Sequence, residues 1–195
     1  MRRLVSFAFA AVMWSALAGP SAHAGGQTAV GQRNAEPPAI AEFAAAVEVY
    51  AQLHRAIDRG RPPLHAASEA HEVFESSNAL ASALQAARAQ AREGDLFTAE
   101  VASQFRARIA DALTVHGIRP EELIASSLDQ ADETAPAAVV NGRFPWKRGT
   151  PMWPCVLNAL PPLPDELQYR LIGPDLVLLD VHASLVVDIL RNAVR

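Results

Sequence analysis

The chain has 195 residues and a formal net charge of −4 with neutral histidines, a mildly acidic balance that gives no general attraction to nucleic acid or to anionic lipid. Its single cysteine, Cys155, cannot close a bridge within its own chain, so stability must come from packing. Between Pro154 and Val156 that thiol reads as a small buried apolar residue.

The chain opens with Arg2 and Arg3, continues through an uncharged, mainly apolar stretch over residues 4–18, breaks at Gly19-Pro20 and reaches Ala22-His23-Ala24. This order of positive, apolar and small-residue regions is that of a secretory signal, and its apolar part is shorter than the ~20 residues of a membrane-spanning helix. Residues 1–24 are therefore expected to be cleaved, leaving a periplasmic or secreted protein with no integral membrane segment. Without Arg2 and Arg3 the net charge becomes −6. Residues 25–37 are polar and lack an apolar period, which predicts a mobile leader, and residues 38–195 suit a single globular domain.

Pro37-Pro38 introduces a helical stripe of Ile40, Phe43, Val47, Tyr50 or Leu53, and Ile57, running to about Asp58. A second helical region is expected from about Ala66 to Gly94, with Val73, Phe74, Leu80, Leu84, Ala87 and Ala91 inward. Ser76-Ser77-Asn78 interrupts it, because these side chains compete for backbone hydrogen bonds. Thr98 is suited to cap a third helix that turns Val101, Phe105, Ile109 and Leu113 inward and stops at Gly117. Pro120 followed by Glu121 and Glu122 opens a short fourth one. Residues 38–128 thus form a small helical bundle.

Residues 129–164 have a different character. The prolines between positions 151 and 164 exclude a regular helix or a central strand and predict a strap laid over the surface. The strongest strand signal follows, over residues 167–172 and 176–181 about Gly173-Pro174-Asp175. An odd-numbered loop opposes Leu167, Tyr169 and Leu171 to Val181, Leu179 and Val177 on one apolar face. An even-numbered loop sets Asp180 opposite Leu167, at a desolvation cost of several kcal/mol if the carboxylate is buried unpaired, so the odd register is expected, with a five-residue loop about Pro174. Residues 183–194 fit a final amphipathic helix, although the β-branched pair Val186-Val187 also suits a third strand. The fold class is α+β: a mainly helical bundle with a C-terminal hairpin and a final short helix.

The segments Leu160-Pro-Pro-Leu-Pro-Asp-Glu-Leu-Gln-Tyr-Arg-Leu-Ile-Gly173, Asp175-Leu-Val-Leu-Leu-Asp-Val-His-Ala183 and Leu185-Val-Val-Asp-Ile189 resemble the C-terminal signature of a family of exported bacterial proteins of uncharacterised function. The resemblance covers roughly the last third of the chain. It implies export and no catalytic residues; Pro174 departs from the polar residue expected in such relatives.

No Walker loop, dinucleotide glycine pattern, G-x-S-x-G, H-E-x-x-H or paired C-x-x-C occurs. Asp180 and His182 are the strongest acid-base pair, since two-residue spacing on a strand places both on the face opposite the apolar one. Glu166 is expected nearby. The alternative is that Asp180 or Ser184 caps the final helix and His182 is solvated. His54, His65 and His71 could converge on a metal if their helices pack side by side, but His65 with Glu69 and His71 with Glu75 read equally as surface helix pairs, and no metal or cofactor is assigned. His116 is placed to meet the last carbonyls of its helix.

The most distinctive segment is residues 141–154, which places Arg143, Phe144, Trp146, Lys147, Arg148 and Trp153 in one proline-rich window. Flat rings beside cations form a platform for an envelope protein, a peptide or a glycan; the competing reading turns both indoles inward to seal the bundle. The acidic, exported chain argues against nucleic acid. The leading functional expectation is a non-catalytic ligand- or partner-binding domain. The alternatives are a hydrolase-like or metal-dependent enzyme using Asp180 and His182, and a structural component of an envelope assembly; nothing in the sequence sets an oligomeric state.

Overall fold

The computed structural model describes residues 36–62, 69–128 and 135–195. The signal segment, the leader up to residue 35, the expected helix start at Ala66, His65 and the acidic stretch 129–134 lie outside the described residues.

Among the described residues the architecture is α+β. Helices α1 (Pro38–Arg59), α2 (Ala70–Ala87), α3 (Ala99–Val115) and α4 (Pro120–Leu128) precede a short α5 (Pro154–Ala159) and the strands β1 (Leu167–Ile172), β2 (Asp175–Asp180) and β3 (Leu185–Leu190). The strands form one antiparallel meander in the order β1-β2-β3.

The stripe of α1 buries Ile40, Phe43, Val47 and Tyr50 as its spacing dictates. In α3 Thr98 is the N-cap, its Oγ1 accepting the Val101 N–H at 3.4 Å, and Val101, Phe105, Ile109 and Leu113 are buried. Phe43, Phe97, Phe105 and Tyr169 meet ring to ring at centroid distances of 4.9–6.0 Å. This aromatic cluster joins α1, α3 and β1, each pair adding about 0.5–1.5 kcal/mol beyond its burial.

Helix α2 departs from expectation in three ways. It runs unbroken through Ser76-Ser77-Asn78, because Ser77 sends its hydroxyl outward to the His182 carbonyl at 2.7 Å instead of competing for its own backbone. It ends at Ala87, not Gly94, where Asn141 Nδ2 donates to the last carbonyls, of Gln85 and Arg88, at 3.1 Å each. Leu80 and Leu84 are buried, whereas Val73 and Phe74 are 47% and 67% exposed: the stripe is continuous, but the first two turns of α2 extend past the part of the core that Leu80 and Leu84 enter.

The register of the hairpin is the even one. Leu167 stands opposite Asp180 and Ile172 opposite Asp175, closed by the two-residue turn Gly173-Pro174. Gly173 adopts a φ of 56°, the positive first position of a type II′ turn, and so escapes the restriction that a following proline imposes on other residues. A carboxylate on the apolar face is costly only when unpaired, and Asp180, buried on that face, is satisfied by two side chains of α1 and two backbone N–H groups of the turn that follows β2.

Residues 185–190 form the third strand, not a helix. Leu178 pairs with Asp188 and Leu179 with Val186, so Val187 is an extra residue in a bulge, and both Val187 and Asp188 turn toward the helices. Two apolar faces result. Leu171, Leu176, Leu178, Leu185 and Leu190 join the helical core, while Val177, Leu179, Val186 and Ile189 face the other way. An amphipathic helix could cover only one side; a strand with burial on both faces explains the near-continuous apolar run.

The strap covers that second face. Ala138 and Phe144 pack on it, and the strap is clipped to both edges of the sheet: Asn141, Gly142 and Phe144 exchange backbone hydrogen bonds with Val186 and Ser184 beside β3, and Thr150 bridges Leu171 on β1. Both otherwise open edges are thereby partly closed. Contrary to expectation, the proline-rich segment contains a helix, α5, which Pro154 begins at its first turn, where no N–H is needed.

Candidate functional site

The strap crossing places Phe144 beneath the surface and Trp146 above it. Phe144 is buried and packs edge-on against Trp146 at 5.0 Å. Trp146 is 51% exposed, and the Arg170 guanidinium lies 5.9 Å from its ring centre, within cation-π range. Gly149 allows this geometry: a Cβ there would lie 2.2 Å from Phe144 Cζ. Arg143 and Lys147 are exposed and Arg148 is half-buried. Arg143 donates to the Ala183 carbonyl, and Arg148 donates to the Ala135 carbonyl at 3.3 Å. Trp153 lies apart, half-buried against the helical core at the head of α5. The structure thus brings Phe144, Trp146 and, from β1, Arg170 together, turns Arg143 and Arg148 to backbone carbonyls and sends Trp153 elsewhere. No local signal points to Arg170, which lies outside the 141–154 window and reaches Trp146 only through the pairing of the strap with β1.

From Arg170 a groove of about 630 Å³ runs along β1, bounded by Pro151 and Met152 of the strap, Leu157 of α5 and the Pro161–Leu163 turn. Arg170 is its one charged lining residue, within a size range usual for ligand sites.

Asp180 and His182 do not form the expected pair. Asp180 is fully buried on the helix-facing side; its Oδ2 accepts the Tyr50 hydroxyl at 2.8 Å and contacts His54 Nδ1 at 2.6 Å. Its Oδ1 accepts the backbone N–H of His182 at 3.1 Å and of Ala183 at 2.8 Å. With no final helix to cap, the side chain caps the turn between β2 and β3. The His182 ring is exposed, 5.4 Å from that of His54, in a second cleft of about 620 Å³ with Asp58, Arg61 and Phe74. Glu166 is buried nearby and pairs with Arg55 at 3.2 Å.

Burial opposes charging of His54, but the hydrogen bond and charge of Asp180, helped by Glu166 and Asp58, outweigh it and raise its pKa. Burial first, then the charge and hydrogen bond of Asp180, also raises the Tyr50 pKa, against the Arg88 guanidinium 5.0 Å from its ring. His54 thus ties α1 to β2 through a buried contact with Asp180 that favours its protonated form, across 126 positions in the chain, a distance no local pattern reveals.

Among the described residues no three His, Cys, Asp or Glu side chains are grouped to hold a metal ion. His71 is exposed. His116 Nδ1 meets the Ala112 carbonyl at 2.9 Å at the end of α3, the position its sequence suggests. Cys155 is half-buried and unbridged.

With known proteins the chain has no match: no family model, no curated protein and no solved structure corresponds to it. Its class is the one its fold defines, an α+β domain whose helices cover one face of a three-stranded antiparallel sheet and whose strap covers the other. Among the described residues no helix is long and apolar enough to cross a membrane.

Proposed function

We propose that the protein is a non-catalytic exported domain, periplasmic or secreted, that binds a partner through the strap around Trp146. Export rests on the residues of the signal pattern and on the C-terminal resemblance. Binding rests above all on Trp146, an indole half in solvent yet braced by the Phe144 ring and the Arg170 guanidinium. A braced aromatic loses little entropy on contact, the property that makes such residues anchors of recognition. An envelope protein, a peptide or a glycan meets these requirements. Hydrolysis at Asp180 and His182 is less favoured, because the Asp180 oxygens already hold four partners and the His182 ring is not among them.

In-cell photocrosslinking from position 148, beside a control at Val115, which is 80% exposed on α3, tests this reading. A discrete adduct is expected from 148 and none from 115, and Trp146→Ala should abolish it. Equal labelling from both positions, or an adduct indifferent to Trp146→Ala, would overturn the proposal.

A further inference from the structure

We propose that His54 and His182 hold a divalent transition-metal ion between them, at the rim of the cleft bounded by α1, α2 and the turn between β2 and β3. The site is independent of the strap. One buried carboxylate positions both histidines: Asp180 Oδ2 accepts from His54 Nδ1 at 2.6 Å, and Oδ1 accepts the His182 backbone N–H at 3.1 Å. Ser77 Oγ donates to the His182 carbonyl at 2.7 Å. The backbone of this exposed residue is thereby pinned at both its N–H and its C=O, while its side chain lines the cleft.

An imidazole that donates Nδ1–H to a carboxylate keeps its lone pair on Nε2. Around metal ions this pairing fixes the tautomer of the histidine and makes its other nitrogen a stronger ligand. His54 meets that condition. Its Nε2 has no hydrogen-bond partner among the described residues, yet it is not one of the unpartnered atoms sealed from solvent. The His182 ring centre lies 5.4 Å from that of His54, and the two planes are tilted by 55°. Two imidazoles that share an ion through nitrogens about 2.0–2.1 Å from it, at a tetrahedral angle, hold their ring centres about 5 Å apart. The rings already stand at the spacing of a shared ion, and only the exposed His182 side chain has to turn a nitrogen toward it.

The local charge has the sign a cation requires. The charges that bear on His54 are those of Asp180, Glu166 and Asp58, and Asp58 lines the cleft one helical turn beyond His54. Arg61, also in the cleft, commits its guanidinium to Asp58 and Ser76, and Arg55 commits its own to Glu48 and Glu166. Among the described residues no group of three His, Cys, Asp or Glu forms around the pair, so water or a small ligand fills the remaining positions, as at metal sites that keep open coordination. Imidazole suits zinc, nickel and copper, and Cu2+ gives the tightest complexes of the series, which makes it the probe of choice.

Titration of the protein with Cu2+, followed by electron paramagnetic resonance, tests the site. One equivalent should bind with a Kd of about 10 µM or tighter, and its nitrogen couplings should report two imidazoles. His182→Asn, with unchanged thermal melting, should leave one imidazole and weaken binding about tenfold or more. His71→Asn, at an exposed position in the first turn of α2, and Trp146→Ala should change neither. His54 is read without substitution: in 15N-labelled protein, Zn2+ should shift the ring nitrogens of His54 and His182 together, at the same equivalence. A wild-type spectrum with fewer than two imidazoles, an affinity indifferent to His182→Asn, or Zn2+ shifts confined to His182 would each overturn the proposal and leave His182 as a cover over His54. Loss of binding in His71→Asn assigns the ion to another set of histidines and also overturns it.

Discussion

The sheet buries two carboxylates, Asp180 at one end of the β2–β3 hairpin and Asp188 across from Leu178, and both are wholly inaccessible. Their surroundings differ in kind. Asp188 accepts only backbone N–H groups: Gly94 at 2.9 Å, Leu96 at 2.7 Å, Phe97 at 2.8 Å and its own neighbour Ile189 at 2.8 Å. It latches the loop between α2 and α3 to β3, and its partners have no proton to lose. Asp180 divides its oxygens between two backbone N–H groups and two titratable side chains. Equal burial therefore produces an inert latch in one place and a proton-linked one in the other, and a perturbed ionisation marks architecture here rather than the open surface at Trp146.

The largest effect should come from Asp188→Ala, which strands backbone donors in the core; a loss of about 3–5 kcal/mol is expected in urea unfolding. Asp180→Ala should cost a similar or slightly smaller amount, about 3–4 kcal/mol near pH 6, since it leaves a buried histidine unpaired. A wild-type stability profile then separates the two sites. Because the His54 pKa is raised in the folded state, its contribution is fully present below the unfolded value near 6.5 and disappears as pH rises through the folded one, at about 1.4 kcal/mol for each unit of difference. Denaturation between pH 5 and 9 should show that decline in the wild type and in Asp188→Asn, and a flattened profile in His54→Gln. An unchanged slope in His54→Gln would assign the titration elsewhere.

Smaller effects mark the strap. Gly149→Ala pushes a methyl into the Phe144 ring and should cost about 1–3 kcal/mol in thermal or urea unfolding while disturbing the Trp146 fluorescence. Trp146→Ala should change stability by less than about 0.5 kcal/mol, even though the crosslink from position 148 is lost. A large destabilisation would mean that the indole seals the fold instead of presenting a surface.

Much of the helical half can be read from the chain because its determinants are local. The spacing of Ile40, Phe43 and Val47, the cap at Thr98 and the proline at the head of α4 each act within one or two turns. Residues 73 and 74 show the limit: periodicity names a stripe, but only the neighbouring elements decide how far along it burial extends. In the candidate site, Phe144, Trp146 and their cations share one short window, whereas Arg170 arrives from β1 and Trp153 leaves toward α5. Sequence proximity cannot distinguish those two fates.

By itself the sequence determined the α+β class, the stripes of α1 and α3, the existence of a hairpin after the prolines and the absence of any internal disulfide, all consequences of backbone preference, side-chain period or residue count. Tertiary structure decided the register, the third strand and the location of the charged tie. The reason is one of cost: a carboxylate among leucines is prohibitive alone and favourable once Tyr50, His54 and two turn amides converge on it, and that convergence exists only when α1 lies against β2. The strap was decided the same way, since an apolar run on both sides of β2 and β3 becomes a strand rather than a helix only when something covers the second face.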